Sequence, residues 1–211
     1  MASVTPHSPD PVLEEYKRLA ADYDRRWSFY VEASVQETLA RFSVSAEDRI
    51  LDVGCGTGVL LSRLCGRVPP ERLCGLDLCP EMLAVARSRL NKGVLVRTGC
   101  AEEIPFEDET FTVVVSTNAF HYFLDAERAL REMLRVLRSG GRLVITDWCD
   151  DYAACKICVR VLRLWSCTPI RIYGRQDCAD LLENAGVQAV RVDRYRVGWV
   201  WGLMTAVGTK A

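Results

Sequence analysis

The sequence has almost no net charge and only two histidines. Its 27 lysines and arginines balance 28 aspartates and glutamates, which leaves a formal net charge of −1 over 211 residues. Nucleic-acid-binding domains are usually basic, so this balance argues against nucleic acid as a partner. No second Cys-x-x-Cys and no Cys/His pair completes a zinc-ligand set, so the sequence predicts no metal site.

Long apolar runs are also missing. No stretch of about 18 apolar residues occurs, so the sequence predicts no transmembrane helix. The first residues, MASVTPHSPDPV, contain neither the basic segment nor the apolar segment of a secretory signal, so we expect a cytoplasmic protein. We expect residues 1–11, which are rich in proline and serine, to form a disordered tail.

Cysteine, in contrast, is abundant, with ten residues. Most of them lie inside apolar segments, which is typical of reduced thiols that act as small apolar side chains. The one Cys-x-x-Cys, formed by Cys155 and Cys158, is compatible with a metal or redox pair. However, Tyr152, Cys155 and Val159 recur with helical spacing, which favours the buried face of a helix.

Helical and strand patterns divide the chain into two parts. Residues 12–45 contain two helical runs rich in aromatic side chains, and residues 46–211 alternate between strand and helix patterns as one α/β domain. Continuous apolar strands of this kind indicate a parallel sheet that is covered on both faces. The predicted strands are residues 49–53, 72–77, 94–98, 111–117, 142–148, 187–195 and 197–207, and one long helix is expected over residues 126–138.

A glycine-rich turn follows the first strand, where residues 51–58 read LDVGCGTG. Ligands of open parallel sheets bind at the carboxyl ends of the strands. Asp77 ends the second strand, where it can accept hydrogen bonds from the two hydroxyls of a ribose. The Gly-x-Gly-x-Gly spacing differs from that of dinucleotide-binding turns, and Asp52 would repel a pyrophosphate but suit an ammonium group. We therefore expect a nucleoside ligand without a pyrophosphate.

Four segments carry a family resemblance, namely LDVGCGTG, CGLDLCPEML, GCAEEIPFEDETFTVVVS and LREMLRVLRSGGRLVITDW. In this order and spacing they resemble the class I S-adenosylmethionine-dependent methyltransferases, type 11, the small-molecule group that includes the ubiquinone and menaquinone C-methyltransferases. The resemblance implies a Rossmann-like seven-stranded sheet, mostly parallel with an antiparallel last strand, and a helical lid at residues 12–45. It also implies S-adenosyl-L-methionine as cofactor and S-adenosyl-L-homocysteine as product. The aromatic side chains in the N-terminal helices, in residues 118–124 and in residues 148–175 favour a small apolar or aromatic methyl acceptor.

The same resemblance implies a cofactor site. The glycines would let the backbone pass the amino-acid and ribose parts of the cofactor. Asp52 would help to hold its ammonium group, mostly through water or neighbouring backbone, and Asp77 would bind its ribose hydroxyls. Leu78 and Met82 would pack near adenine. The full set of implied cofactor-binding residues is Tyr16, Tyr23, Asp52, Gly54, Cys55, Gly56, Gly58, Asp77, Leu78, Met82, Ala101, Glu102 and Asn118.

The candidate catalytic residue is His121, which follows the fourth strand and so lies at the active-site end of the sheet. A histidine there can act as a base near neutral pH, although many relatives carry one in a packing role. Asp147, at the end of the fifth strand, could contact the acceptor or cap the next helix. Two other functions stay open. One is a protein that binds S-adenosylmethionine without methylating, such as an accessory subunit or a pericyclase-like enzyme. The other, less favoured by the loop spacing, is a nicotinamide-dependent oxidoreductase.

Overall fold

The computed structural model describes residues 11–20, 22–165, 170–198 and 201–211. The predicted disordered tail, residues 1–11, lies outside these ranges except for its last residue. Two helices come first, α1 (Pro11–Leu19) and α2 (Tyr23–Leu39). They occupy most of the stretch predicted as a helical lid.

One sheet forms the centre of the molecule. Its strands are β1 (Ile50–Val53), β2 (Leu73–Asp77), β3 (Leu95–Thr98), β4 (Phe111–Thr117), β5 (Leu137–Trp148), β6 (Val187–Val197) and β7 (Trp201–Lys210). They lie in the order β3-β2-β1-β4-β5-β7-β6. The first five strands pair in parallel, whereas β7 runs antiparallel to both β5 and β6. The predicted mostly parallel sheet with an antiparallel last strand is confirmed.

Helices cover both faces of the sheet, because parallel strands need crossover connections. They are α3 (Val59–Leu64), α4 (Pro80–Arg89), α5 (Ala126–Val136), α6 (Ala153–Trp165) and α7 (Arg175–Asn184). The chain runs outward from β1 to β3 and then returns to place β4 on the other side of β1. Strand order therefore reverses between β1 and β4, which leaves a crevice at their carboxyl ends.

The connection from α5 to β5 differs from the prediction. The helix ends at Val136 and the strand starts at Leu137, whereas the sequence pattern predicted a helix to residue 138 and a strand from 142. Pairing with β4 moves from Phe111–Leu137 directly to Val113–Arg142, so the residues between bulge out of the ladder. Gly140 has φ +72°, a conformation that a glycine adopts readily.

Helix α2 belongs to the core of the domain. Its Val35, and Phe42 just after it, lie in the same buried apolar cluster as Ile50, Val113 and Val144 of the central strands. Burial of apolar side chains is the main stabilising contribution to a domain of this size. Part of the predicted lid is thus a layer of the folded domain.

The cysteines that the structure describes are all free, and most of them are buried. Cys155 and Val159 are buried on α6, whereas Cys158 is half-buried, which supports the helical-face interpretation of the Cys-x-x-Cys. Within the same described ranges, no three potential metal ligands come together. None of the helices described is long and apolar enough to span a membrane.

Candidate cofactor and active site

A cavity lies at the carboxyl ends of β1, β2 and β4, where the strand order reverses. Of the predicted cofactor-binding residues, all but Gly58 line it: Tyr16, Tyr23, Asp52, Gly54, Cys55, Gly56, Asp77, Leu78, Met82, Ala101, Glu102 and Asn118. Other residues line it without having been predicted. Among them are Leu13, Val31, Val35, Thr57 and Cys79. Their types carry no ligand signal, so only the folded arrangement identifies them.

The glycine turn wraps tightly around the end of β1. Gly54 has φ +77°, and a Cβ there would lie 2.3 Å from the Cβ of Ala119, so only glycine fits. The backbone N–H of Gly54 donates to the carbonyl of Leu76 at 2.8 Å, which holds the turn against β2. At Gly56 a Cβ would meet no protein atom within 4 Å, so this glycine leaves space on the cavity side.

Gly58 is the one predicted cofactor-binding residue that does not line the cavity. It precedes the first residue of α3 with φ +76°. A Cβ at this position would lie 3.1 Å from Leu90 and 3.2 Å from Ala86. The third glycine therefore permits the turn into α3 and its close packing on α4.

Asp77 ends β2 beside the turn. Its Oδ2 accepts a hydrogen bond from the N–H of Gly56 at 2.7 Å, and its Oδ1 accepts one from the N–H of Cys79 at 2.9 Å. Burial raises the pKa of Asp77, and the two hydrogen bonds oppose that rise. Each carboxylate oxygen has a second lone pair, so Asp77 can also accept hydrogen bonds from ligand hydroxyls.

Asp52 lies within β1 and is almost fully buried, with 2% exposure. Its Oδ1 has no hydrogen-bond partner among the described residues. Burial, and then the charge of Asp77, raises the pKa of Asp52 to about 8. A buried carboxyl without a partner is costly, and a cationic donor in the cavity would compensate it. Two acids beside an open glycine turn fit a ligand that carries both an ammonium group and a ribose, as S-adenosylmethionine does.

Two of the predicted residues use their side chains elsewhere. Glu102 lines the cavity, but its Oε1 accepts hydrogen bonds from the N–H groups of Leu124 (2.9 Å) and Asp125 (3.3 Å). Asn118, with φ +58°, accepts a hydrogen bond from the Tyr30 hydroxyl (2.7 Å) and donates one to Ser34 (2.6 Å). These side chains fix the loops and helices around the cavity.

Three tyrosines form one wall of the cavity. Tyr16 of α1 packs against Tyr23 of α2 with ring centroids 5.8 Å apart, and against Tyr122 edge-on at 5.6 Å. Burial raises the pKa of Tyr23, so its hydroxyl stays protonated at neutral pH. Tyr122 lies on a single 3-10 turn, Phe120–Tyr122, directly after β4.

His121 lies behind this wall and does not line the cavity. Its Nδ1 is 2.6 Å from Oδ1 of Asp147, and its backbone N–H donates to Oδ2 at 2.8 Å. The imidazole stacks on Trp148 at 4.9 Å and 13°, and contacts the Tyr122 ring at 4.0 Å. Its Nε2 is buried without a hydrogen-bond partner among the described residues. Asp147 therefore orients His121. One interpretation of the sequence made Asp147 the cap of the next helix, but both of its carboxylate oxygens face His121 instead.

Comparison with known proteins agrees with this geometry. Residues 51–145 match the family described as "Methyltransferase domain". The 2-methyl-6-phytyl-1,4-hydroquinone methyltransferase 2 of Oryza sativa subsp. japonica is 42% identical over 162 residues, which are 74% of this chain and 43% of that protein. A demethylmenaquinone methyltransferase of Thermus thermophilus is 42% identical over 106 residues, which are 49% of this chain and 48% of that protein. The chain thus spans about half the length of the curated relatives it matches.

Solved structures share the fold. The methyltransferase in a complex with the Trm112 methyltransferase activator of Haloferax volcanii matches with a TM-score of 0.83 and 22% identity, over 92% of this chain and 97% of that one. At this identity the likeness concerns the fold alone. The matched domain, the two relatives and the sheet order together identify residues 51–145 as a methyltransferase domain, on a fold like that of the class I S-adenosylmethionine-dependent methyltransferases.

Proposed function

We propose that this protein transfers the methyl group of S-adenosylmethionine to a small apolar or aromatic acceptor. The observation that carries the proposal is the buried Asp52 beside Asp77 at the glycine turn, with its Oδ1 lacking a hydrogen-bond partner among the described residues. The names of the rice and Thermus relatives, a phytyl-hydroquinone and a demethylmenaquinone methyltransferase, support an acceptor of this class.

Different residues of the cavity would bind different parts of the cofactor. Asp52 binds the ammonium group, because a cation satisfies its buried carboxyl. Asp77 binds the ribose hydroxyls, and the open side of Gly56 lets the backbone approach the ligand closely. Leu78 and Met82 pack against the adenine, one at 40% and the other at 1% exposure.

Methyl transfer from S-adenosylmethionine requires little covalent chemistry from the protein. When bound, the cofactor supplies a methyl group on a positively charged sulfur, which is already activated for displacement. The chain must align the acceptor in line with that bond and exclude water. The tyrosine wall formed by Tyr16, Tyr23 and Tyr122 serves the second purpose at the mouth of the cavity.

A proton on the acceptor can leave through His121. Asp147 holds Nδ1, so Nε2 is the nitrogen left to accept a proton. Because Tyr122 lines the cavity and its ring touches the imidazole, we propose that this ring moves aside when an acceptor binds. Such a base suits a hydroxyl or amine acceptor, whereas an acidic carbon or a thiolate does not need one.

We also infer a cytoplasmic location and a small-molecule partner. Free thiols, most of them buried, support a reducing compartment. The near-zero net charge gives no reason to expect a nucleic acid as the acceptor.

Calorimetric titration followed by an acceptor screen tests the proposal. S-adenosylhomocysteine should bind, NAD should not, and mass spectrometry should detect methylated products that form only with cofactor and acceptor together. Asp77→Ala is the matched variant and should bind about ten- to a hundredfold more weakly, because a hydrogen bond to a charged group is lost. Tight NAD binding without S-adenosylhomocysteine binding would contradict the proposal. Cofactor binding without transfer to any acceptor would favour the non-methylating alternative.

A further inference from the structure

A hydrogen-bonded triad joins the glycine turn to two helices. The Thr57 hydroxyl donates to Oδ1 of Asp24 at 2.7 Å and accepts from Nη1 of Arg89 at 2.9 Å. The same guanidinium nitrogen donates to the carbonyl of Thr57 at 2.6 Å, and the second one forms an ion pair with Asp24. We call these residues the Asp24–Thr57–Arg89 triad. It links the first turn of α2, the turn after β1 and the last turn of α4.

The triad connects two segments that line the cavity, the glycine turn and the start of α2. Thr57 is 3% exposed, follows Gly56 and itself lines the cavity. Asp24 follows Tyr23, which also lines the cavity and belongs to the tyrosine cluster. Because neighbouring residues in a helix share one rigid backbone, the position of Asp24 fixes that of Tyr23.

The bonding within the triad is closed and partly shielded from water. The side chains of Arg89 and Asp24 are 28% and 32% exposed, and each is bonded to the nearly buried Thr57. Charge-assisted hydrogen bonds in such surroundings are stronger than those between exposed groups. A second ion pair joins Glu32 of α2 to Arg63 of α3, and these side chains are 45% and 57% exposed. Among the described residues, the hydrogen bonds of this pair run between its own two members and not to the glycine turn.

We propose that the Asp24–Thr57–Arg89 triad is a positioning device that sets Tyr23 and the glycine turn at the spacing that encloses the cofactor. The proposal rests on the proposed function, because it assumes that the cavity holds S-adenosylmethionine. None of the three side chains needs to touch the reacting atoms. Loosening the triad widens the cavity and allows the ligand to leave, so it weakens cofactor affinity more than it slows a bound cofactor's reaction.

Paired substitutions separate this role from a purely structural one. Thr57→Val removes the hydroxyl at constant shape, and Thr57→Ser restores it. Asp24→Asn keeps a hydrogen-bond acceptor but removes the charge that faces Arg89. Glu32→Gln breaks the other ion pair of α2 and is the matched control. For each variant we would measure the dissociation constant of S-adenosylhomocysteine, KM for S-adenosylmethionine, kcat and the melting temperature.

Thr57→Val and Asp24→Asn should raise the dissociation constant and KM by about three- to tenfold, the range expected for one lost hydrogen bond, with kcat changed less than about twofold. Thr57→Ser should recover most of the affinity, and Glu32→Gln should stay within about twofold of the wild type. Wild-type affinity in both Thr57→Val and Asp24→Asn would overturn the proposal. An equal loss in Glu32→Gln, or a fall in melting temperature without a change in affinity, would overturn it as well. Failure of the wild type itself to bind S-adenosylhomocysteine would instead overturn the proposed function.

Discussion

The two N-terminal helices follow each other in the chain but are held by different parts of the molecule. Helix α2 packs on the sheet, where Ser34 and Thr38 are fully buried and Val35 joins the core. Helix α1 packs on the rim of the cavity, where Leu13 and Tyr16 lie partly buried against the start of α4. A single lid, predicted for residues 12–45, would have held both helices in the same way.

Polar contacts explain why α2 belongs to the domain. The Thr38 hydroxyl contacts that of Thr146 on β5 at 2.8 Å, which in turn contacts Thr205 on β7 at 2.8 Å. Tyr30 bridges Asn118 and Trp148 with two hydrogen bonds of 2.7 Å. A buried network whose members are satisfied fixes one arrangement of the elements that it joins.

Helix α1 is held at the rim of the cavity by apolar contacts of Leu13 and Tyr16. It is nine residues long, a length at which a helix is marginal in water without packing partners. Its partners, Cys79 and Met82, belong to the cavity wall. We therefore narrow the lid proposal to α1 and assign α2 to the scaffold.

Truncation gives the largest difference between the two helices. A chain that starts at residue 21 should keep a cooperative unfolding transition and bind S-adenosylhomocysteine more weakly, because the glycine turn and Asp77 remain. A chain that starts at residue 43 should lose that transition, because it exposes the apolar cluster around Val113 and Val144. Circular dichroism during heating measures both. A folded chain from residue 43 would restore the single-lid interpretation.

The pH dependence of the free energy of unfolding should come from Asp52 in the cavity and not from the hydrogen-bond network of α2. Asp52 has a pKa raised from 3.8 to about 8 in the folded protein, so unfolding releases its proton between these values. Its contribution to the free energy of unfolding is complete below about pH 4 and is lost as the pH rises to about 8. The two titratable groups that interact with it, Asp77 and Cys55, also have raised pKa values.

Asp52→Asn tests this contribution. The variant cannot ionise, so its free energy of unfolding should be roughly 2 kcal/mol or more above that of the wild type near pH 8, with little difference near pH 4. It should also lose affinity for the ammonium group of the cofactor. Urea unfolding at several pH values measures the first effect and calorimetry the second. A parallel pH dependence in both proteins would show that Asp52 is ionised in the folded state.

The sequence was sufficient for the sheet and for most of the cavity. The glycine turn and Asp77 are local signals, since their neighbours in the chain define them. The roles of Asn118 and His121 depend on residues far along the chain: Tyr30 is 88 positions from Asn118, and Asp147 is 26 positions from His121. Patterns of neighbouring residues in the sequence cannot identify hydrogen-bond partners that lie so far apart in the chain. Gly58 shows the converse, because the packing that its lack of a side chain permits, against Leu90 and Ala86 of the next helix, is visible only in the fold.

Two single substitutions, one on α2 and one on α1, compare the two helices with a smaller expected effect. Thr38→Val removes the hydroxyl that links α2 to Thr146 and should lower the free energy of unfolding by about 1–2 kcal/mol. On α1, Lys17→Ala breaks an ion pair with Glu14 whose members are 34% and 40% exposed, and should leave the unfolding midpoint unchanged. Urea titration compares the two. Equal destabilisation would mean that the Thr38 contact with the sheet contributes no more to stability than a half-exposed ion pair within α1.

Differences in amide hydrogen exchange are the smallest expected effect, but they report on the two helices most directly. In the ligand-free protein, the amides of α1 should exchange faster than those of α2, because opening α1 exposes only the rim contacts of Leu13 and Tyr16. S-adenosylhomocysteine adds a surface for Tyr16 to cover, so it should slow exchange in α1 several-fold. It should change α2 by less than about twofold beyond its first turn, since Thr38 is bonded to the sheet in both states. Equal protection of both helices without ligand, unchanged when ligand is added, would make α1 a rigid part of the scaffold and leave the cavity without a lid.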